Sequence, residues 1–205
     1  MASVLAGFRP VKHITGAPYN GQYNKYTIPA AEAVAVNVGD LVALSDGAAI
    51  VGADGGVYPA VERVGTSTTT PVTSGAIVGA VVGFEPDYSN LNTGNYRAAS
   101  TARVVYVADA PGLVFAAPQD AVGGVIAAAS VGLNVAIVPG VTSTTAPWAS
   151  GSSVDSSSVA ATSTLPLRVV GFTSSPDQDV TSTSRPAEVL VMINNHQYAN
   201  LSTGV

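Results

Sequence analysis

Hydrophobic residues occur along this chain in short runs that are rich in β-branched side chains and bounded by turn-forming residues. Such runs are typical of β-strands. In Val34–Val38, valine occupies every second position, which would place the three valines on one face of a sheet. Gly39-Asp40 then predicts a turn into Leu41–Leu44, so we expect these two runs to be consecutive antiparallel strands. Strands are also predicted at 77–84, 103–107, 113–115, 165–172 and 188–193.

One segment, Gln119–Gly132, has the pattern of a short helix. Asp120 can cap its beginning, a run of alanines follows, and Gly132 can end it, although Gly123 and Gly124 lower its helix propensity. Two stretches rich in Ser and Thr, 66–74 and 141–158, are predicted mainly as loops.

Together the pattern predicts one all-β fold, an antiparallel jelly-roll or barrel-like domain with a single short helix. A chain of 205 residues is of a size that all-β proteins often form as one domain. Asp46-Gly47 and Asp54-Gly55-Gly56 are expected in hairpin turns, where a positive φ angle is needed.

The first residues differ from the rest of the chain in charge and composition. Residues 1–31 carry three basic residues and no acidic one, in a stretch rich in Gly, Pro and Asn that also holds three tyrosines. We therefore predict an extended N-terminal arm over 1–28, followed by a β-rich domain over 29–205. The arm either docks on a neighbouring subunit or partner, or folds back on its own domain. If it docks, we expect removal of 1–26 to leave the β-domain folded.

Aromatic and arginine side chains are the natural anchors of a docking arm, because they contribute much of the binding energy at protein interfaces. The single tryptophan, Trp148, lies in a polar loop, where it either packs on the chain's own core or projects into a partner. The candidate interface residues are Phe8, Arg9, Tyr19, Tyr23, Tyr26 and Trp148.

Composition removes several classes of chemistry. The chain has no cysteine, which excludes disulfides, thiolate catalysis and cysteine-ligated metals, and only two histidines. Neither His13 nor His196 stands in a recognisable catalytic motif, and the carboxylate pairs Glu85/Asp87 and Asp177/Asp179 flank prolines, as turn residues do. We therefore expect no enzyme activity, no catalytic residue, and no cofactor or metal.

Charge and hydropathy bear on the partners. The net charge of −5 has the wrong sign for an electrostatic hold on nucleic acid. The longest uncharged stretch, 122–138, is at the short limit for a membrane span, and the first residues lack the basic start of a secretory signal. We expect no nucleic acid or membrane partner and synthesis in the cytoplasm.

Five sequence blocks, in their order along the chain, resemble the capsid decoration (cement) proteins of tailed bacteriophages. They are Asp109–Phe115, Val131–Asn134, Val154–Ser158, Thr164–Phe172 and Val191–Tyr198. One position departs from the family pattern, since Ala116 and Ala117 follow Phe115 where similar proteins often carry an acidic residue.

The resemblance implies a non-enzymatic β-rich protein on the outer surface of the virion. Such a protein binds the major capsid protein of an HK97-type shell as a dimer or trimer and reinforces the seams between capsomers. Two alternatives remain open: a structural protein of the phage tail or baseplate, and a module that binds a host surface or glycan. An aromatic-lined pocket together with binding to host cells would distinguish the glycan-binding module.

Overall fold

The computed structural model describes residues 7–199 except 53, 68, 89–93, 147, 175–178 and 185. Regular structure in these residues is almost entirely antiparallel β, with two single-turn 3-10 helices at Ala128–Ser130 and Ser156–Ser158. The strands are β1 (Arg9–His13), β2 (Asn24–Ile28), β3 (Val36–Asn37), β4 (Leu41–Leu44), β5 (Ile50–Val51), β6 (Val57–Tyr58), β7 (Val61–Arg63), β8 (Gly79–Phe84), β9 (Tyr96–Arg97), β10 (Arg103–Ala108), β11 (Leu113–Ala117), β12 (Asn134–Val135), β13 (Ile137–Val138), β14 (Ser153–Val154), β15 (Leu167–Phe172) and β16 (Val189–Ile193).

Five strands in the order β2-β10-β8-β4-β7 form a sheet that curls on itself, which we call the barrel sheet. Its two edges meet where the Thr27 amide of β2 donates to the Pro59 carbonyl at 2.9 Å and Thr27 bridges Ala60, just before β7. Closure of this kind removes exposed strand edges. The interior is filled by a cluster of buried side chains: Tyr26, Ile28, Val36, Val42, Val61, Val78, Val81, Phe84, Val105 and Val107.

The other five-stranded sheet, in the order β1-β11-β16-β15-β12, we call the open sheet. Strand β16 shows the expected alternation, with buried residues at its first, third and fifth positions and half-buried ones between them. Its inner face packs against the barrel sheet in a second buried cluster, to which Phe115 and Val191 contribute from the open sheet and Leu41 and Ala80 from the barrel sheet.

The segment that follows β16 bonds the open sheet to the barrel sheet. The Ile77 amide donates to the Asn195 carbonyl, and the Gln197 amide donates to the Ile77 carbonyl, both at 2.9 Å. The Gln197 side chain also accepts from the Leu44 amide of β4 at 3.0 Å. We call residues 194–199 the clamp.

A buried ion pair fixes the Ser/Thr-rich loop to the barrel sheet. Arg63 lies 3.1 Å from Asp40, and both side chains are almost fully buried. Asp40 accepts from the hydroxyls of Ser150 and Ser152 at 2.5 and 2.8 Å, while Arg63 donates to the Gly140 carbonyl at 2.9 Å. Because buried charges are stable only when paired and hydrogen-bonded, this network holds both ends of the loop in place.

The all-β prediction is confirmed, and the predicted strands coincide with β3, β4, β8, β10, β11, β15 and β16. The hairpin turn at Asp54-Gly55-Gly56 is also confirmed: it joins β5 to β6, and Gly55 has a φ of +78°. A jelly roll is not confirmed by the strand order. The predicted pairing of the first two runs is wrong, because β3 pairs with β9, whereas β4 pairs with β7 and β8.

The predicted helix over Gln119–Gly132 is wrong. Only the Ala128–Ser130 turn is helical, because Ala121, Gly123 and Gly124 all have positive φ angles. The polar residues at its predicted start bond to distant parts of the chain, and Asp120 accepts from the amide and the hydroxyl of Ser156 at 3.0 and 2.8 Å. The Gln119 side chain bonds the Ala187 carbonyl and the Ile126 amide, both at 2.7 Å, and thereby fixes the segment in a non-helical path.

The described part of the predicted arm does not extend from the domain; it folds back on it. Strand β1 is an edge strand of the open sheet, and β2 belongs to the barrel sheet. Phe8 is 1% exposed, and its amide donates to the Gly39 carbonyl at 2.8 Å. The expectation that 1–26 could be removed without unfolding is therefore corrected, since that deletion would take away a strand, a core residue and much of β2.

Candidate interaction surface

The predicted interface residues divide into buried and exposed groups. Phe8 and Tyr26 are 1% and 4% exposed, so their rings lie in the chain's own core and not at a surface that a partner could reach. Arg9 is exposed at the start of β1, where it forms an ion pair with Glu188 of the adjoining loop at 2.6 Å. Tyr23 is 49% exposed and Tyr19 is half-buried.

A tight return of the chain covers the outer edge of β1. The His13 amide donates to the Ala17 carbonyl at 2.7 Å, and the Tyr19 amide donates to the Val11 carbonyl at 3.0 Å. This return protects the strand edge from pairing with another chain. It also leaves the side chains of Val11 and Ile14 43% and 52% exposed. We call residues 9–23 the N-terminal edge.

Next to the N-terminal edge lies a cavity of about 340 Å³, which we call the tyrosine cleft. Its walls include His13, Tyr19, Gln22, Tyr23, Asn24 and Asp109. The hydroxyl of Tyr19 donates to the Gln22 carbonyl at 2.8 Å, and burial together with the nearby Tyr23 raises the pKa of Tyr19.

Two contacts hold the cleft in shape. The Tyr23 ring stacks on the Tyr106 ring of β10, with centroids 4.5 Å apart and planes 25° apart. On the opposite wall, the Asp109 carboxylate accepts from the Tyr26 hydroxyl at 2.5 Å and from the Asn24 side-chain amide at 2.9 and 3.0 Å. Burial, followed by the bond to Asp109, raises the pKa of Tyr26, so that its hydroxyl remains a donor.

An adjoining cavity of about 460 Å³ shares Tyr23 and Asn24 with the tyrosine cleft and is lined further by Lys25 and Tyr58. Lys25 lies 2.6 Å from Asp54 and 3.1 Å from Glu85, and its ammonium sits 5.4 Å from the centre of the Tyr58 ring. The hydrogen bond to Lys25 is the main reason that the pKa of Asp54 is lowered. The charges beside this second cavity are therefore paired within the chain.

Trp148 packs on its own chain, which is the first of the two alternatives that its sequence position left open. The residue is half-buried with a φ of +53°, and a Cβ atom on Gly94 would lie 2.7 Å from its ring nitrogen. Its carbonyl accepts from the Asn37 side chain at 2.9 Å, which ties the loop to β3. Trp148 thus stabilises the loop and is a weak candidate for a partner contact.

The two histidines differ in their surroundings. His13 lines the tyrosine cleft, whereas His196 is 1% exposed within the clamp and accepts the Tyr198 amide at 3.1 Å through Nδ1. Among the residues that the structure describes, no group of three side chains is placed to hold a metal ion. Asp177, a member of one predicted carboxylate pair, lies outside the described residues.

Sequence reasoning found Tyr19 and Tyr23 but missed Asp109 and Tyr106 as site residues. Both come from the β10 region, more than eighty positions further along the chain than the two tyrosines. Because β10 pairs with β2, Asp109 lines the cleft and Tyr106 supports the Tyr23 ring from behind. The only local signal was at Tyr106, a large polar aromatic residue in a run of valines, which marks the solvent-facing side of a strand.

Comparisons of this chain with protein-family models, with curated proteins and with solved structures find no match. In the portion of the chain that the structure covers, no helix has the length and apolar character needed to cross a membrane.

Proposed function

We propose that this chain is a capsid decoration protein of a tailed bacteriophage. It binds the outside of an HK97-type shell, contacts the major capsid protein at seams between capsomers, and assembles as a dimer or trimer. The proposal comes from the sequence blocks that resemble this family. The all-β fold is consistent with it.

One observation carries the choice of docking surface: the exposed apolar and aromatic side chains of the N-terminal edge lie beside a preformed cleft. Val11, Ile14 and Tyr23 are all more than two-fifths exposed, although side chains of this kind gain free energy when they are buried. Aromatic residues around a pocket are typical of the centres of protein interfaces.

The mechanism is adhesive. Each copy would bury the N-terminal edge against the capsid. Because many copies bind one lattice, they would together reinforce the shell although each contact has only modest affinity. Val11 lies in β1, the Ile14 amide is bonded to the Gly112 carbonyl, and the Tyr23 ring is stacked on Tyr106, so little conformational entropy is lost on docking.

The test is binding to shells that lack this protein. Purified chain is mixed with the shells, bound protein is measured by co-sedimentation, and cryo-electron microscopy locates the added density. We expect density outside the shell, across capsomer boundaries. Ile14→Asp should lower occupancy by about tenfold or more at half-saturating concentration, because it places a charge in an apolar contact.

Val131→Asp is the matched control. Val131 is 48% exposed, close to the 52% of Ile14, but it lies beside β12, at the opposite edge of the open sheet from β1. The control should bind as the unmodified chain does. Equal loss in both variants would contradict the N-terminal edge as the docking surface. Binding to tails or baseplates in place of shells would contradict the proposed function.

A further inference from the structure

The Asp109 carboxylate in the tyrosine cleft has no positively charged partner among the described residues. Its hydrogen bonds come from the hydroxyl of Tyr26 and the amide of Asn24, both of which are neutral donors. The ion pairs of the described chain engage other acidic residues, namely Asp40, Asp54, Glu85 and Glu188. Asp109 therefore brings an uncompensated negative charge to the wall of the cleft.

The carboxylate also has room for another bond. Two carboxylate oxygens offer about four acceptor positions, and the three hydrogen bonds from Tyr26 and Asn24 leave about one of them open. These contacts fix the orientation of the carboxylate in advance, so a ligand need not immobilise it on binding.

The walls of the cleft suit a flat cation. Tyr19 and Tyr23 present aromatic rings, and the stacking of Tyr23 on Tyr106 holds one of them in position. A guanidinium group can donate to the open acceptor position of Asp109 while its planar, delocalised charge stacks on the aromatic faces, which an ammonium does less well. The volume of about 340 Å³ is at the small end for ligand pockets and fits one side chain.

Comparison with the neighbouring cavity shows why the unpaired charge of Asp109 determines which ligand the tyrosine cleft binds. There Lys25 already pairs with Asp54 and Glu85, so an added cation would meet no free negative charge. A neutral saccharide in the tyrosine cleft would use the rings but leave the charge of Asp109 without a counterion. The net charge of −5 on the chain also favours a basic partner.

We propose that the tyrosine cleft is a guanidinium-binding site that receives an arginine side chain from the protein on which this chain docks. The identity of that protein as the capsid rests on the proposed function. The recognition of arginine does not, and it can be measured without a virion.

The experiment is a titration of the ¹⁵N-labelled chain with N-acetyl-arginine amide, followed by two-dimensional NMR at pH 8, above the ordinary titration range of imidazoles. N-acetyl-citrulline amide, which has nearly the same shape but no charge, is the matched ligand. We expect saturable shifts at the amides of Tyr19, Tyr23 and Ala110, and binding of citrulline weaker by about tenfold or more. Equal binding of the two probes, or none, would overturn the proposal.

Variants locate the site. Tyr23→Ala should weaken arginine binding by about three- to tenfold, because it removes an exposed aromatic wall without touching the core. Tyr88→Ala removes a tyrosine that is 71% exposed and lies outside the tyrosine cleft, so it should leave binding unchanged. Asp109→Asn should abolish the preference for arginine over citrulline, and its folded state is checked by the dispersion of the same spectra.

The outcomes distinguish a failure of the arginine-binding proposal from a failure of the proposed decoration function. Arginine binding by a chain that does not occupy shells would keep the site and contradict the decoration role. Shell occupancy that depends on Ile14, in a chain that does not bind arginine, would keep the role and overturn the site. Shifts at the same amides with an N-acetylglucosamine tetramer, and none with arginine, would assign the cleft to sugars and overturn the proposal.

Discussion

At the scale of single residues, His196 has the most unusual environment. It is 1% exposed, its Nδ1 accepts the Tyr198 amide, and Nε2 has no hydrogen-bond partner in the described residues. Burial lowers the pKa of this imidazole. The backbone and the negative charge of the nearby Asp109 act to raise the pKa, but they offset the effect of burial only in part. The Tyr198 ring lies 6.1 Å from the imidazole, and its hydroxyl lies 3.3 Å from the Tyr26 hydroxyl. With its pKa lowered, the histidine is neutral in the folded protein at neutral pH.

This environment predicts that the chain loses stability in mild acid. Well above pH 6.5, the ordinary pKa of histidine, His196 is neutral in both the folded and the unfolded states and adds no pH dependence. Below it, the unfolded chain binds a proton that the folded chain does not. The free energy of unfolding should therefore fall, by up to about 1.4 kcal/mol per pH unit, until the lowered pKa of the folded state is reached.

Urea denaturation at pH values from 8 to 5 measures this slope. His196→Gln should flatten the slope between pH 6.5 and 5, because the titrating group is gone. His13→Gln is the matched control and should keep most of the slope, since His13 lies in the half-buried tyrosine cleft and not in the clamp. An unchanged slope in His196→Gln would mean that other groups cause the acid sensitivity.

At the scale of elements, the contact between β8 and β10 depends on a residue without a side chain. A Cβ atom at Gly79 would overlap the backbone carbonyl of Ala108 and lie 2.9 Å from the Asp109 Cα atom. Since both neighbours are backbone atoms, they cannot move aside as the end of a flexible side chain could.

Gly79→Ala should therefore destabilise the chain by about 1–3 kcal/mol, the usual range for overpacking in a core. Gly112→Ala is the matched control, because its added methyl would lie 3.6 Å from a side-chain carbon of Ile14, which is ordinary contact. Thermal unfolding followed by circular dichroism compares the two. Similar melting temperatures in both variants would show that the barrel sheet can shift to accept a side chain at position 79.

The seven predicted strands could be read from sequence because each contains a local run of β-branched residues. The structure of Gln119–Gly132 could not, because the choice between a helix and an irregular turn depended on bonds from Gln119 to distant partners such as Ala187. Sequence could not decide between a docking arm and one that folds back, for a related reason. Gly- and Pro-rich composition indicates irregular local structure, but β1 is formed by pairing with β11, about a hundred positions later.

Only those residues of the candidate site that are close together in the sequence were predictable. Tyr19 and Tyr23 stand close together in the sequence, whereas Asp109 and Tyr106 join them through the register of β2 with β10, which places Tyr106 opposite Lys25. Such a register depends on the whole barrel sheet. No local pattern shows which tyrosine will lie against which acid.

At the scale of the whole molecule, the barrel sheet and the open sheet are joined by a shared hydrophobic cluster and by backbone hydrogen bonds. Residues from both sheets share one buried cluster. The clamp adds backbone hydrogen bonds from the end of β16 to the segment that leads into β8. Separating the sheets would expose that cluster and break those bonds at once, so neither sheet has a complete core without the other.

The molecule should therefore unfold in one cooperative transition. Trp148, the only tryptophan, reports on the loop that is fixed to the barrel sheet. A second variant, Trp148→Phe with Phe172→Trp, moves the fluorescent probe to β15 of the open sheet, where Phe172 packs against the shared cluster. Within each variant, fluorescence and far-ultraviolet circular dichroism should give the same denaturation midpoint in urea. A midpoint that differs between the two probes would mean that the sheets unfold separately, and the shared cluster would then be too weak to couple them.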